Sequence, residues 1–297
     1  MSISFAQYEG GFDKIDLQTI FNLNVSVKEG ELVAIAGSSG SGKSLLAHGI
    51  LGVLPYNAKM NGKIYYMNEE LTIDKVKKLR GKEIVLVPQS VAYLNPLMKV
   101  GLQVRKGRNS TELKKKSESV LARYGLDKDV EQLYPFELSG GMSRRILIST
   151  AVIEKAKLVI ADEPTPGIHV STAKRILGHF REIADEGAGV LLITHDLELA
   201  LEIADRVIIF YAGTTLEEAL AKDFDKEETL RHPYTKALWR AMPQHGFHSI
   251  KGSQPYAKDV RLGCSFYSRC DMRTEECLQE ILYRELRNGY VRCIHAQ

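Results

Sequence analysis

Leu32-Val33-Ala34-Ile35-Ala36-Gly37-Ser38-Ser39-Gly40-Ser41-Gly42-Lys43-Ser44 is the stretch whose reading decides the fold. Its first five residues form a continuous apolar run, the pattern of a strand covered on both faces. The next eight match the phosphate-loop pattern Gly-x-x-x-x-Gly-Lys-Ser/Thr, and residues 43–52 read as the helix that follows. The chemistry needs these residue types. Glycines let the backbone wrap closely round phosphate oxygens, and successive N–H groups make an anion nest at a helix N-terminus. Lys43 supplies a point charge and the Ser44 hydroxyl a ligand for Mg²⁺. Strand, loop and helix in this order argue against a chance glycine-rich turn.

Upstream, residues 3–35 alternate in a strand-like way, notably Asn24–Lys28. Downstream, Gly62–Met67 and Glu83–Val87 read as strands, the second running into Pro88-Gln89-Ser90. Residues 99–133 turn helical and strongly charged, which predicts a helical subdomain over about 90–155 inserted into the sheet domain. Leu138-Ser139-Gly140-Gly141-Met142 follows, with Ser139 as N-cap of a helix from about Gly140 to Glu154. Leu158-Val159-Ile160-Ala161 is a buried-strand pattern that delivers Asp162 and Glu163. An Asp there can hold Mg²⁺, and the adjacent Glu can orient and deprotonate a water. Side chains alternate along a strand, so the two point differently and can do different jobs.

Val170–Glu186 is an amphipathic helix, Gly189–Ile193 a buried strand ending in Thr194-His195-Asp196, and 206–211 a further strand. The alternation predicts an α/β fold with a mostly parallel sheet. After a short helix from Pro233 to about Met242, residues 243–263 read as a linker, and four cysteines follow: Cys264, Cys270, Cys277 and Cys293. The expected division is a domain over 1–242 and an extension over 243–297.

A net charge of +3 over 297 residues gives no argument for nucleic acid. Arg105 to Lys116 is the one dense basic segment and reads first as a solvated helix face, with an anionic lipid surface or a partner second. Met1–Asp13 has no signal-peptide pattern, and no apolar run approaches the ~18–20 residues of a membrane span. A cytoplasmic location is expected, which makes the cysteines poor disulfide candidates.

The ordered set Gly37–Ser44, Gln89, Leu138–Met142, Leu158–Glu163 and His195 resembles the ABC-transporter ATPases, a family of phosphate-loop NTPases. Tyr134-Pro135-x-Glu137-Leu138-Ser139-Gly140-Gly141-Met142, His232-Pro233-Tyr234-Thr235 and the cysteine tail narrow this to the ATPase subunits of oligopeptide, dipeptide and nickel importers. The resemblance implies an ABC nucleotide-binding domain that binds and hydrolyses ATP with Mg²⁺. Its loop residues Gly37, Ser38, Ser39, Gly40, Ser41, Gly42, Lys43 and Ser44 would hold phosphate. Ser44, Gln89 and Asp162 would serve Mg²⁺, and Glu163, Gln89 and His195 the hydrolysis.

Two such ATPases would meet head to tail, with Ser139, Gly140 and Gly141 reaching the partner's ATP. An aromatic would stack on adenine, with Phe12 the first choice and Tyr8 the second. The segment after Gln89 would contact two membrane permease subunits. An extracytoplasmic substrate-binding protein would deliver peptides to them, with nickel or a metal chelate as the alternative cargo. The chain would sit at the cytoplasmic face of the membrane, and no nucleic acid is implied.

His169 stands where the family has an aspartate that links the two ATP sites, which suggests a non-identical second ATPase and a slow or regulatory half-site as an alternative. In some peptide-importer ATPases the tail cysteines hold a 4Fe–4S cluster. The spacing here, with five, six and fifteen residues between cysteines, is neither a standard zinc nor a ferredoxin pattern, so zinc and free thiols stay open.

Overall fold

The computed structural model describes residues 1–9, 13–38, 40–256, 259 and 263–297, and divides the chain into two compact units. In chain order the elements used below are β1 (Ser2–Glu9), β2 (Asp13–Ile20), β3 (Leu32–Ala36), α1 (Lys43–Ile50), β4 (Ala58–Asn61) and β5 (Ile84–Val87). They continue with α2 (Thr111–Arg123), α3 (Gly140–Val152), β6 (Leu158–Asp162), α4 (Val170–Asp185) and β7 (Gly189–Thr194). The last are α5 (Leu197–Leu201), β8 (Arg206–Tyr211), β9 (Thr214–Leu220), α6 (Pro233–Ala241), β10 (Arg284–Leu286) and β11 (Gly289–Val291).

The first unit comprises residues 1–26, 33–76 and 194–297. Its centre is β3, whose five residues are all buried, paired in parallel with β8 in the register Val33↔Arg206 to Ala36↔Ile209. Beyond β8 the pairing turns antiparallel through β9, β11 and β10. A separate antiparallel sheet has the order β2-β1-β4. The extension is part of this unit, because β11 adds to the edge of β9. A buried ionic knot fastens it. Glu217, fully buried on β9, accepts from the Arg231 and His232 amides at 2.9 and 2.7 Å, and from Arg231 Nη1 at 3.2 Å. The same guanidinium donates from Nε to the Leu286 carbonyl at 2.6 Å and from Nη2 to the Arg287 carbonyl at 2.5 Å, across the turn between β10 and β11.

The second unit comprises residues 27–32 and 77–193. Here β5, β6 and β7 run parallel, with Val159 between Val85 and Val190. Helix α4 buries Ala173, Ile176, Leu177, Phe180, Ile183 and Ala184, the stripe that its 3.6-residue period predicts. The helical stretch between β5 and β6 carries a buried ion pair, Arg105 Nη1 to Glu131 Oε2 at 2.7 Å.

Three expectations are corrected. Asn24–Lys28 is not a strand, and the chain there is irregular. Gly62–Met67 is not one strand either. The chain turns at Gly62 (φ 107°), and Met67 and Asn68 at φ 51° and 64° close a two-residue-strand hairpin, Tyr65–Tyr66 with Glu69–Glu70. The basic segment is not one solvated face: Arg105 is buried on Glu131, and Lys106 and Arg108 turn to Glu154, leaving Lys114, Lys115 and Lys116 outside.

Candidate functional site: a phosphate loop, a carboxylate strand end and a cysteine module

In the first unit the phosphate loop leaves β3 and enters α1 through Gly42, the N-cap residue, at φ 95°. Gly37 must be glycine, since a Cβ there would lie 2.2 Å from the Phe210 carbonyl oxygen. Lys43 is buried, and its ammonium donates to the Gly37 and Ser38 carbonyls at 2.9 and 2.8 Å. Among the described residues the buried Ser41 hydroxyl has no hydrogen-bond partner. Ser44 occupies the first turn of α1. The Ser38 hydroxyl donates to Gln254 Oε1, a contact with the extension that nothing in the motif announced.

Gly40 lies at φ 76° in open space. Ser39 and Phe12 lie outside the described residues, while Tyr8 on β1 is largely exposed. His195 is exposed ahead of α5, which Asp196 caps by accepting from the Leu199 amide at 3.0 Å.

In the second unit β6 delivers Asp162, 5% exposed, at its end. Glu163 follows at φ 41°, an uncommon backbone for a non-glycine residue, held by its amide donating to the Ile193 carbonyl at 2.8 Å. Gln89 Nε2 donates to Glu163 Oε2 at 3.2 Å, so the glutamine two residues beyond β5 and the carboxylate beyond β6 meet. Parallel neighbours end on the same side of a sheet, and that brings the two together.

Ser139 caps α3, accepting from the Met142 amide at 3.3 Å. A Cβ at Gly140 or Gly141 would meet nothing within 4 Å. His169 caps α4, its Nδ1 accepting from the Ser171 amide at 3.4 Å with the Ser171 hydroxyl 3.0 Å away.

The cysteine module belongs to the first unit, and none of the four thiols is in a disulfide. Gly263 at φ 105° lets the chain pass the Cys277 carbonyl, and the Cys264 amide donates to that carbonyl at 2.8 Å. Burial first, with a smaller contribution from the other three thiols, pushes the Cys264 thiol up to about 12. Burial is also the main cause that raises Cys270 and Cys293. His232 is buried and pushed down to about 3 by loss of solvent, and its Nε2 lies 3.9 Å from Cys264 Sγ. His295 Nε2 lies 3.4 Å from Cys277 Sγ. Among the described residues no three His, Cys, Asp or Glu side chains converge tightly enough to hold a single metal ion.

A strand–loop–helix phosphate site, an Asp-Glu strand end and a capped glycine-pair helix define a phosphate-loop nucleotide-binding cassette. The ABC-transporter family model matches residues 20–166, and the model for the oligopeptide/dipeptide transporter C-terminal region matches 217–277. The dipeptide transport ATP-binding protein of Haemophilus influenzae is 33% identical over 94% of this chain and 88% of its own length. The Bacillus subtilis dipeptide protein is 34% identical over 93% and 87%. The oligopeptide transport ATP-binding protein of Escherichia coli is 32% identical over 93% and 87%.

A dimeric bacterial ABC-transporter cassette superposes with a TM-score of 0.64 at 26% identity, over 74% of this chain and 96% of that one. A post-hydrolysis form bound to ADP and Pi superposes at 0.62 and 27% identity, over 74% and 98%. The chain belongs to the ATP-binding subunits of ABC transporters, in the branch that includes the dipeptide and oligopeptide proteins. It is accordingly an ATPase that uses ATP and Mg²⁺. No helix among the described residues is long and apolar enough to cross a membrane.

Proposed function

We propose that this chain powers uptake of dipeptides or oligopeptides through membrane permease subunits. The observation that carries the hydrolytic part is the hydrogen bond from Gln89 to Glu163, made where the strained Glu163 backbone aims its carboxylate beyond β6. The peptide cargo is favoured over nickel because the peptide-transporter C-terminal model and peptide-transport relatives both match.

The residues present fit the nucleotide. Loop amides at a glycine-rich turn suit phosphate, and the buried Ser41 hydroxyl has a hydrogen bond to give. Ser44 in the first unit, and Asp162 and Gln89 in the second, are the residues that would serve Mg²⁺, whose charge would neutralise the phosphates. Lys43 leaves the Gly37 and Ser38 carbonyls for the phosphate oxygens. Glu163 accepts the proton of the attacking water, Gln89 fixes the carboxylate's orientation, and His195 donates towards the γ-phosphate. By the family resemblance Ser39 is assigned to the phosphates and Phe12 to adenine, with Tyr8 as substitute.

Ser139, Gly140 and Gly141 serve ATP held by a second ATPase subunit. That role is supported by the open space over both glycines, which the chain's own packing does not require. We place that second subunit as a non-identical one on account of His169, and the assembly at the cytoplasmic face with an extracytoplasmic binding protein. Residues 1–242 form the nucleotide-binding domain in this reading, with its helical subdomain at about 90–155, and 243–297 the extension.

Cys264, Cys270, Cys277 and Cys293, none of them in a disulfide, are assigned in this reading to a 4Fe–4S cluster, with zinc and free thiols as the alternatives. Anaerobically purified protein without iron would refute the cluster. The hydrolysis is tested by Glu163→Gln in the assembled transporter. Retained ATP binding with turnover reduced at least about 100-fold supports the role, and wild-type turnover would refute it.

A further inference from the structure

We propose that Gln254 is a positioning residue for the phosphate loop, through which the C-terminal extension braces Ser38 and so sets nucleotide affinity. Ser38 is held from two sides: its carbonyl accepts from Lys43 Nζ at 2.8 Å and from the Ser41 amide at 3.4 Å, and its hydroxyl donates to Gln254 Oε1. The first hold is temporary in the proposed reaction, because Lys43 must turn to phosphate. What then remains on that residue is the Gln254 contact and the long bond from the Ser41 amide.

The segment bearing Gln254 is itself fixed. Arg269 donates from Nε to the Lys251 carbonyl at 2.7 Å and from Nη2 to the Ile250 carbonyl at 3.2 Å. Its third contact runs from Nη1 to the Tyr211 hydroxyl at 3.0 Å, and its guanidinium lies 5.9 and 5.8 Å from the Tyr211 and Phe266 ring centres. Gly252 at φ 74° turns the chain between the clamped carbonyls and Gln254.

Tyr211 follows Phe210, whose carbonyl meets Gly37, so Arg269 grips both the strand behind the loop and the segment in front of it. Arg269 also immediately precedes Cys270. The cysteine module is thereby joined to the phosphate loop by a continuous line: Cys270, Arg269, the carbonyls of residues 250–251, Gln254 and Ser38. Four hydrogen bonds, three from Arg269 and one from Ser38, make this a strut rather than a chance contact of two side chains.

The proposal rests on the nucleotide-binding reading of the loop, and the experiment separates the two. MgATP dissociation constants, KM and kcat are measured on the full-length chain carrying Lys43→Ala, Gln254→Ala, Ser38→Ala and the Gln254→Ala/Ser38→Ala pair. Lys43→Ala tests the site, and binding that survives it unchanged sinks that reading. Gln254→Ala is expected to weaken MgATP binding and raise KM about five-fold, the worth of one ordinary hydrogen bond, with kcat within about two-fold. Ser38→Ala should weaken MgATP binding at least as much, and the double variant should be no worse than Ser38→Ala alone.

Arg269→Lys should raise KM in the wild-type background but not in Gln254→Ala, whereas a merely structural role would act in both. Wild-type affinity in Gln254→Ala, or effects of Gln254→Ala and Ser38→Ala that simply add, overturns the brace.

Discussion

Gly37→Ala tests the join between sheet and phosphate loop. The added Cβ would sit 2.2 Å from the Phe210 carbonyl oxygen, more than 1 Å inside the 3.4 Å at which ordinary contact begins, and 3.2 Å from the carbonyl carbon. The obstacle is main chain, so no rotamer change relieves it. Phe210 is 1% exposed and sits where the β8–β9 register shifts, so β8 cannot slide away without disturbing its pairing with β3. The loop must move instead. Overpacking of this kind costs about 1–3 kcal/mol, which for a domain of this size lowers Tm by roughly 3–10 °C.

Function should suffer more than stability. The Gly37 carbonyl accepts from Lys43 Nζ, and a displaced loop misplaces the lysine and every amide facing phosphate. We expect MgATP affinity at least about ten-fold weaker, by equilibrium binding, alongside the Tm shift read by calorimetry. The control is Gly81→Ala, at φ 77° with nothing within 4 Å. It should cost only about 1 kcal/mol for its backbone conformation and leave MgATP affinity unchanged. A Gly37→Ala protein with wild-type Tm and affinity would refute the packing argument.

Glu131→Gln should destabilise by about 3–5 kcal/mol in denaturant titrations, because it leaves Arg105 as an uncompensated buried charge. Arg231→Met should cost a similar amount, and should also speed amide exchange in 284–291, whose turn carbonyls that guanidinium holds. His179 gives a pH signature. It is buried against the Tyr124 ring, faces Glu182, Arg123 and Arg175, and its pKa is lowered below 6.5 by burial. The unfolded chain therefore binds a proton there before the folded one does. This contribution is full above pH 6.5 and declines as pH falls below it, and His179→Phe should flatten the decline in a stability-versus-pH series.

The sequence made the site legible where chemistry demands a fixed order of residue types. Gly37, Ser38 and Gly40–Ser44, Asp162-Glu163 and the capped start at Ser139 lie on the elements that the pattern predicts, since strand ends and helix caps are local features. What stayed hidden depends on distant pairing. Thr214–Leu220 has no alternating pattern to mark it as a strand, and nothing in it says that it will pair with β11, about seventy residues on, or that Glu217 will be buried to meet Arg231. The Gln89–Glu163 bond is in no motif, because its partners are 74 residues apart and the parallel register of β5 and β6 joins them. Arg105 misled for the opposite reason: composition counts a charge but does not show that an acid 26 residues away will bury it.

Two groups of glycines then separate what the chain demands from what an assembly demands. Gly37, Gly213 and Gly263 are required internally, since a Cβ at each would run into main chain at 2.2, 2.3 and 2.4 Å. Gly140 and Gly141 are not, and glycine in a helix's first turns weakens it by up to about 1 kcal/mol relative to alanine. Gly141→Ala should therefore leave the isolated chain as stable or slightly more so. If the open face is where a second subunit's nucleotide seats, the same change should reduce ATP turnover of the assembled transporter at least about ten-fold. Both readouts come from one variant, a Tm on the chain alone and a rate on the complex. Unchanged turnover would mean that α3 opens onto nothing, and the partner reading of Ser139–Gly141 would fall with it.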